Sequence, residues 1–318
     1  MRFAPSRSDL LRIAAAGAAV AALRTRAASA ATTVRLGVQP VESAGQAFYG
    51  IDLGYFAAAG IDVQLTPMSN GAELVAAVIG GSLDVGQSAV GSVAQAHVKG
   101  LDVKLIAPAG MSLSSAPTDV TMVAKDSPIK TAADLTDKVV GVNGIGNVLM
   151  YGTQAWIDKN GGDSKRVKFV ELPFSAMADA LASHRVDAAT LAEPYVSDAK
   201  AVARALASPL DAIAPRCPAT TWFANGAWLK TEPDVAAKVV DVLRRAAVWG
   251  NAHPKESGAI VVKYTKIKPE TLAVMTRSTY GTDLIASEIQ PLIDTGVKYG
   301  DIGSAVAAAD IMWTPTRN

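Results

Sequence analysis

Residues 34–90 read VRLGVQPVESAGQAFYGIDLGYFAAAGIDVQLTPMSNGAELVAAVIGGSLDVGQSAV. Apolar residues in this stretch switch between a period of about 2 and one of about 3.6, which marks strands and helices in alternation. Val34–Val38 is predicted as a strand and Gln46–Ala59 as a helix stopped by Gly60. Ile61–Leu65 follows as a strand, Asn70–Gly80 as a helix with Ser69 placed to cap it, and Leu83–Gly86 as a short third strand. Such alternation builds βαβ units. Ligands of open α/β sheets bind where strand ends pass into helices.

The pattern returns further on. Val170–Leu172 leads through Pro173-Phe174-Ser175 into a predicted helix, Ala176–His184, and then Val186-Asp187-Ala188. The earlier unit has Val63 and Leu65, Ser69, a helix, and Leu83-Asp84-Val85. Two units of one design predict two related lobes. Asp84 and Asp187 hold matching places and are read as structural turn or cap residues.

At 318 residues the chain exceeds what one growing core usually holds, so two domains are expected. The first thirty residues carry five arginines and one aspartate, leaving the remainder at −3 against +1 for the whole chain. A slightly acidic body does not fit a nucleic-acid binder. Arg2, Arg7 and Arg12 precede an eleven-residue apolar run, Ile13–Leu23, and Ala28-Ser29-Ala30 forms an A-x-A cleavage site. Together they predict a signal peptide over 1–30, cut after Ala30, and a periplasmic mature protein. Ser8 stands where the second arginine of a twin-arginine signal belongs, so the export route stays open. Cys217 is the single cysteine, which excludes an internal disulfide, and is read as a passive thiol.

In the remainder, Ser92–Lys99 is predicted as a helix and Val103–Ala107 as a strand. Met111–Asp119 is read as a loop, Val120–Val123 and Val139–Val142 as strands, Val148–Lys159 as a helix, and Val167–Leu172 as a strand. Val196–Leu206 is read as a helix, Thr221–Ala224 as a strand returning the chain to the first lobe, and Pro233–Trp249 as a long amphipathic helix ahead of a mainly helical tail. This places a discontinuous first lobe at 33–119 plus 222–318, a continuous second lobe at 120–221, and two crossings that act as a hinge.

Gly54-Tyr55-Phe56-Ala57-Ala58-Ala59-Gly60-Ile61-Asp62-Val63, Gly81-Ser82-Leu83-Asp84-Val85, Ile129–Leu135 with Lys138–Val142, Val186-Asp187-Ala188 and Glu193-Pro194-Tyr195, in this order behind an export signal, resemble the extracytoplasmic substrate-binding proteins of ABC importers. The nitrate/sulfonate/taurine group is the most similar. The resemblance implies an α/β fold of two lobes, each a sheet flanked by helices: the type II periplasmic-binding-protein clamshell. It also implies a soluble monomer that closes on a small ligand and presents it to a permease in the inner membrane. Sulfonates, taurine, nitrate, thiamine or flavin precursors and aromatic acids are the ligands it suggests. A thiamine-pyrimidine synthase branch of the family uses an active-site histidine and a cysteine-rich motif. This chain has one cysteine and only His97, His184 and His253, none in a strand-end loop.

Ligand contacts are expected at the strand-to-helix turns. In the first lobe these are Gln39, Ser43, Gln46, Ser69, Asn70, Gly71, Gln87 and Ser88. In the second they are Asn143, Gly144, Ile145, Gly146, Asn147, Glu193 and Tyr195, with Trp222 near the returning crossover. Serine, asparagine and glutamine supply hydrogen bonds without fixed charge. Free amides around Gly144 would form a nest for a sulfonate or carboxylate. Each residue also has a structural reading: Ser69 as a cap, Gly144 and Gly146 as turn formers, Gln87 and Ser88 as loop bonds, Tyr195 and Trp222 as core. Glu193 facing the cleft would favour a ligand amine or hydroxyl over a bare anion. No G-x-S-x-G elbow, H-E-x-x-H motif or phosphate loop occurs. Capture of an organic anion is therefore expected, with a thiamine-type pyrimidine, another uncharged heterocycle, or sensing for a membrane receptor as alternatives. Neither catalysis nor a cofactor or metal is expected.

Overall fold

The computed structural model describes residues 31–265 and 267–315. The expected leader, 1–30, lies outside them. In chain order the strands are β1 Thr32–Val38, β2 Ile61–Pro67, β3 Val85–Ser88, β4 Val103–Pro108, β5 Gly110–Leu113, β6 Asp119–Ala124 and β7 Val139–Val142. Then come β8 Lys168–Glu171, β9 Ala188–Ala192, β10 Ala203–Ala207, β11 Arg216–Pro218, β12 Thr221–Asn225 and β13 Thr279–Tyr280.

They form two five-stranded sheets and a small third one. The first sheet runs β2-β1-β3-β12-β4 and the second runs β8-β7-β9-β6-β10. In both, the first three strands are parallel and the last two alternate antiparallel. In the fourth place each sheet takes its strand from next to an interlobe crossing. That strand is β12, returning from the second lobe, in one sheet, and β6, just arrived from the first, in the other.

The repeated aspartates show the kinship at atomic detail. Asp84 accepts the Arg35 backbone N–H at 2.8 Å, and Asp187 accepts that of Val139 at the same distance. Each carboxylate satisfies the strand next to its own, β1 or β7. Asp84 adds an ion pair with Arg35.

Alternation along β1 buries Val34, Leu36 and Val38 on one side, beneath Phe48, Tyr49 and Trp222. Pro233–Ala252 opens with proline at its first turn and buries Ala236, Val239, Leu243, Ala246, Ala247 and Gly250 on the same core. A second apolar cluster crosses between lobes. Val148, Leu149 and Tyr151 pack with Leu74, Val90, Ile289 and Leu292. Tyr299 Oη also donates to Asp158 Oδ2 across the lobes at 2.9 Å. No described helix is long and apolar enough to cross a membrane.

Three elements depart from the expectation. The helix predicted over Gln46–Ala59 is two, Gly45–Asp52 and Tyr55–Ala58, because Gly54 turns left-handed at φ 69°. The predicted loop Met111–Asp119 begins with β5, which pairs antiparallel with β11 and β13. These short strands form the third sheet beside the crossings, and their pairings join residues 103–107 positions apart for β11 and 168–170 for β13, which no local pattern announces. Val196–Leu206 is a short helix, Tyr195–Ala199, followed by edge strand β10, because pairing with β6 overrides the helix propensity of an alanine-rich segment.

Candidate functional site

A cavity of about 270 Å³ opens between the lobes. Of the expected residues, Gln39, Ser43, Asn70, Gly71, Ser88, Asn143, Gly144, Ile145, Asn147 and Glu193 line it. A second recess of about 350 Å³ shares Gln39, Val41 and Phe174 with the first and is lined further by Ser69, Tyr195, Met68 and three prolines. Phe174 and Tyr195 stack there with ring centroids 5.5 Å apart.

Four expected residues stand outside both. Trp222 is fully buried, and its Nε1 donates to Gln46 Oε1 at 2.8 Å. Gln46 is also fully buried, and its Nε2 reaches the carbonyls of Pro108 and Leu243. This pair is a polar bond inside the first-lobe core and not a ligand contact. Gln87 is buried behind the wall, where its Nε2 holds Ser43 Oγ at 3.0 Å. Gly146 turns the chain at φ 75°, a conformation that favours glycine.

The wall of each lobe is built on a helix start. Asn70, not Ser69, caps Gly71–Ile79: its Oδ1 accepts the Glu73 N–H at 3.0 Å. The Glu73 carboxylate in turn accepts the Ser69 N–H at 3.1 Å. Asn147 caps Val148–Lys159, accepting from Leu149 and Met150 at 3.0 Å each, and its amide nitrogen is oriented by Asn143. The Ile145 N–H points at Glu171 Oε2, 3.3 Å away. The nest expected around Gly144 to hold a ligand anion is thus partly filled by side chains of the chain itself.

Gly71 meets Ser88 at the bottom of the cavity: a Cβ at Gly71 would overlap the Ser88 hydroxyl. That hydroxyl is buried and has no hydrogen-bond partner among the described residues. Gly71→Val is expected to cost about 1–3 kcal/mol through overpacking and to close off the cavity floor. Thermal unfolding and ligand titration check this. Adding Ser88→Ala should restore part of the stability.

The sequence reading missed the other charged groups of the wall. Glu73, Asp119 and Glu171 line the cavity with Glu193, and among the described residues no lysine, arginine or histidine does. Glu193 is 5% exposed and accepts from Ser197 N and Oγ and from Thr276 N; burial raises its pKa against those bonds. Asp119, 8% exposed, starts β6 at the crossing and receives one hydrogen bond, from Thr118 Oγ1 at 3.1 Å. Burial pushes its carboxyl up to about 6, the Thr118 bond opposes this, and nearby Glu193 adds to it. The one signal in the sequence was position, since Asp119 and Glu171 both sit at strand termini.

Asp119 therefore holds its proton more tightly in the folded chain than at its ordinary value of 3.8. Its contribution is full below about pH 4 and is lost as pH rises to about 6, a swing of about 3 kcal/mol at ~1.4 kcal/mol per unit. Asp119→Asn removes that swing. The variant should gain stability over the parent at pH 7, and the gain should shrink as pH falls to 4, as read by urea unfolding.

Other reactive groups lie apart. Cys217 is fully buried on β11, and burial pushes its thiol up to about 12. No three or more described His, Cys, Asp or Glu side chains are grouped to hold a metal.

Two lobes of matching sheets, joined through short crossing strands, and a cavity between them define a periplasmic-binding-protein clamshell. The NMT1/THI5-like family model matches residues 43–257, more than half of the chain. The chain belongs to that family. Its fold is similar to the ligand-binding component of an ABC-type import system from Staphylococcus aureus, solved with zinc bound (TM-score 0.77, 17% identity, 90% of this chain and 97% of that one). The alkanesulfonate-binding protein SsuA from Xanthomonas axonopodis pv. citri, solved with MOPS, gives a TM-score of 0.74 at 18% identity over 89% and 98%. The nitrate-binding protein NrtA from Synechocystis PCC 6803 gives 0.73 at 13% over 88% and 85%. A search of curated proteins found no match.

Proposed function

We propose that this chain is the extracytoplasmic solute-binding component of an ABC importer, capturing a small organic molecule between its lobes and presenting the closed form to an inner-membrane permease. The observation that carries this reading is the cavity itself, walled by both lobes and spanned by a hinge of paired strands. Capture would stabilise the closed geometry, a population shift whose size equals the ligand's preference for the closed state. The residues lining the cavity hold ligand by hydrogen bonds from Gln39, Ser43, Ser88 and Asn143 and by apolar contact with Ile145, Leu149 and Phe174. Export through a leader over 1–30 and a monomeric state belong to the same proposal, as does the lobe division at 119/120 and 221/222.

Among ligand classes, the uncharged heterocycle fits this wall better than the organic anion, because the fixed charges are acidic and several helix-start amides are already engaged. The test is native mass spectrometry of protein isolated from the periplasm without refolding, followed by identification of what is released on denaturation. An unchanged small molecule at one per chain supports capture. A product-like adduct on Cys217 or a histidine would instead favour an enzyme.

A further inference from the structure

We propose that the cavity takes an organic cation, its ammonium or amidinium group paired with Asp119 and its apolar body lying along Ile145, Leu149 and Phe174. The inference rests on the solute-capture reading above and names the ligand class for the same cavity.

The argument begins with the balance of charge. Four carboxylates line the cavity and no described cationic side chain does. The two helix starts that face it supply about half a positive charge each, well short of four formal negatives. Part of their amides is taken up from within: Asn70 accepts from Glu73 N, and Asn147 from Leu149 N and Met150 N. An entering anion would meet acidic groups and partly engaged donors.

The four carboxylates are not equivalent. Glu73, Glu171 and Glu193 each accept at least one backbone N–H. Glu193 also has Lys200 nearby to offset its charge. Arg277, next to the lining residue Ser278, is committed to Glu42 by an ion pair. Among the described residues, Asp119 has only the Thr118 hydroxyl. It faces Glu193 and the neutral Cys217 thiol, with no cation beside it. A nearly buried carboxylate with one hydrogen bond is costly unless a partner compensates it. In an open cavity wall that partner is supplied by ligand.

A second, independent observation lies in the same cavity, at the end of β3. Ser88 Oγ is fully buried, lines the cavity and finds no partner among the described residues. A hydroxyl both donates and accepts, so it can take an N–H from a ligand in the cavity. The same cavity is lined by Ile145, Leu149 and Phe174, which offer apolar contact, and Phe174 continues onto Tyr195 in the outer recess.

Three probes of one shape and different charge test this: benzylamine, benzyl alcohol and phenylmethanesulfonate. Each is titrated calorimetrically into the mature protein at pH 7.5 and pH 5, and into Asp119→Asn and Ser88→Ala. The expected order at pH 7.5 is amine, alcohol, sulfonate, with at least tenfold between first and last. Benzylamine should weaken at pH 5, where Asp119 gains its proton, and should lose at least tenfold in Asp119→Asn, which also reduces the pH dependence to what Glu193 contributes. Ser88→Ala should lower amine affinity by a smaller factor and leave that dependence intact. Unfolding curves establish that both variants fold. Preference for the sulfonate, or equal binding of all three, overturns the charge assignment while leaving solute capture standing. No binding of any probe at 10 mM also overturns it. Failure of solute capture itself is read separately, from the released molecule in the native mass spectrum.

Discussion

Replacing Trp222 by alanine is expected to destabilise the first lobe by about 3–5 kcal/mol, the range for deleting a large buried aromatic side chain. Trp222 sits on β12, paired with β3 on one side and β4 on the other, and is fully buried. Removing the indole opens a cavity among Val34, Val85, Ala107 and Leu243, residues of the same apolar cluster. It also strips Gln46 Oε1 of its donor, leaving a buried acceptor unpaired at a further cost of about 1–3 kcal/mol. Trp222→Phe separates the two effects, because it keeps much of the volume and loses the N–H. Urea unfolding followed by circular dichroism measures both variants. A loss below about 1 kcal/mol for the alanine variant would be incompatible with this packing. Changes in ligand affinity should follow stability alone, since the indole does not reach the cavity.

The second large effect concerns closure. Glu193→Ala should weaken binding of a cleft ligand by about tenfold to a hundredfold. The carboxylate is anchored in the second lobe by Ser197 N and Oγ, each at 3.0 Å. It also accepts from Thr276 N at 3.2 Å. Thr276 follows Met275, which is packed in the first-lobe core. Hydrogen bonds to charged groups contribute about 1.5–3 kcal/mol, and the Thr276 bond joins the two lobes. Removing it shifts the open–closed equilibrium by that amount, which is the stated factor in apparent affinity. The neighbouring interlobe bond from Thr271 Oγ1 to Asp198 Oδ1, 2.6 Å, remains. Small-angle scattering with and without ligand reads the compactness, and calorimetry reads the affinity. Unchanged compactness and affinity would show that the Thr276 bond does not hold the lobes together. Glu193→Gln, which keeps an acceptor, should lose less than the alanine variant.

The pattern of residues 34–90 and its echo near 170–188 gave the two lobes, and the structure bears out the kinship down to the matched bonds of Asp84 and Asp187. Side-chain alternation and turn residues are local properties, so strands and helices written in them are legible without a fold. Cavity residues at strand-to-helix turns were legible for the same reason, including Asn70, Gly71, Asn143 and Asn147. Gln46 and Trp222 look equally suitable by type and place. Their burial depends on a strand and a helix start 176 positions apart meeting in the core.

By itself, then, the sequence determined the α/β alternation, the repeat of one unit in two lobes and the family resemblance, because each is carried by residues close together along the chain. Only the tertiary structure decided that β5, β11 and β13 pair into a third sheet, that some helix-start amides are engaged by the chain's own side chains, and that Asp119 is left on the cavity wall with a single hydrogen bond among the described residues. Those outcomes depend on partners brought from distant segments, and a buried group's chemistry is set by what surrounds it in space.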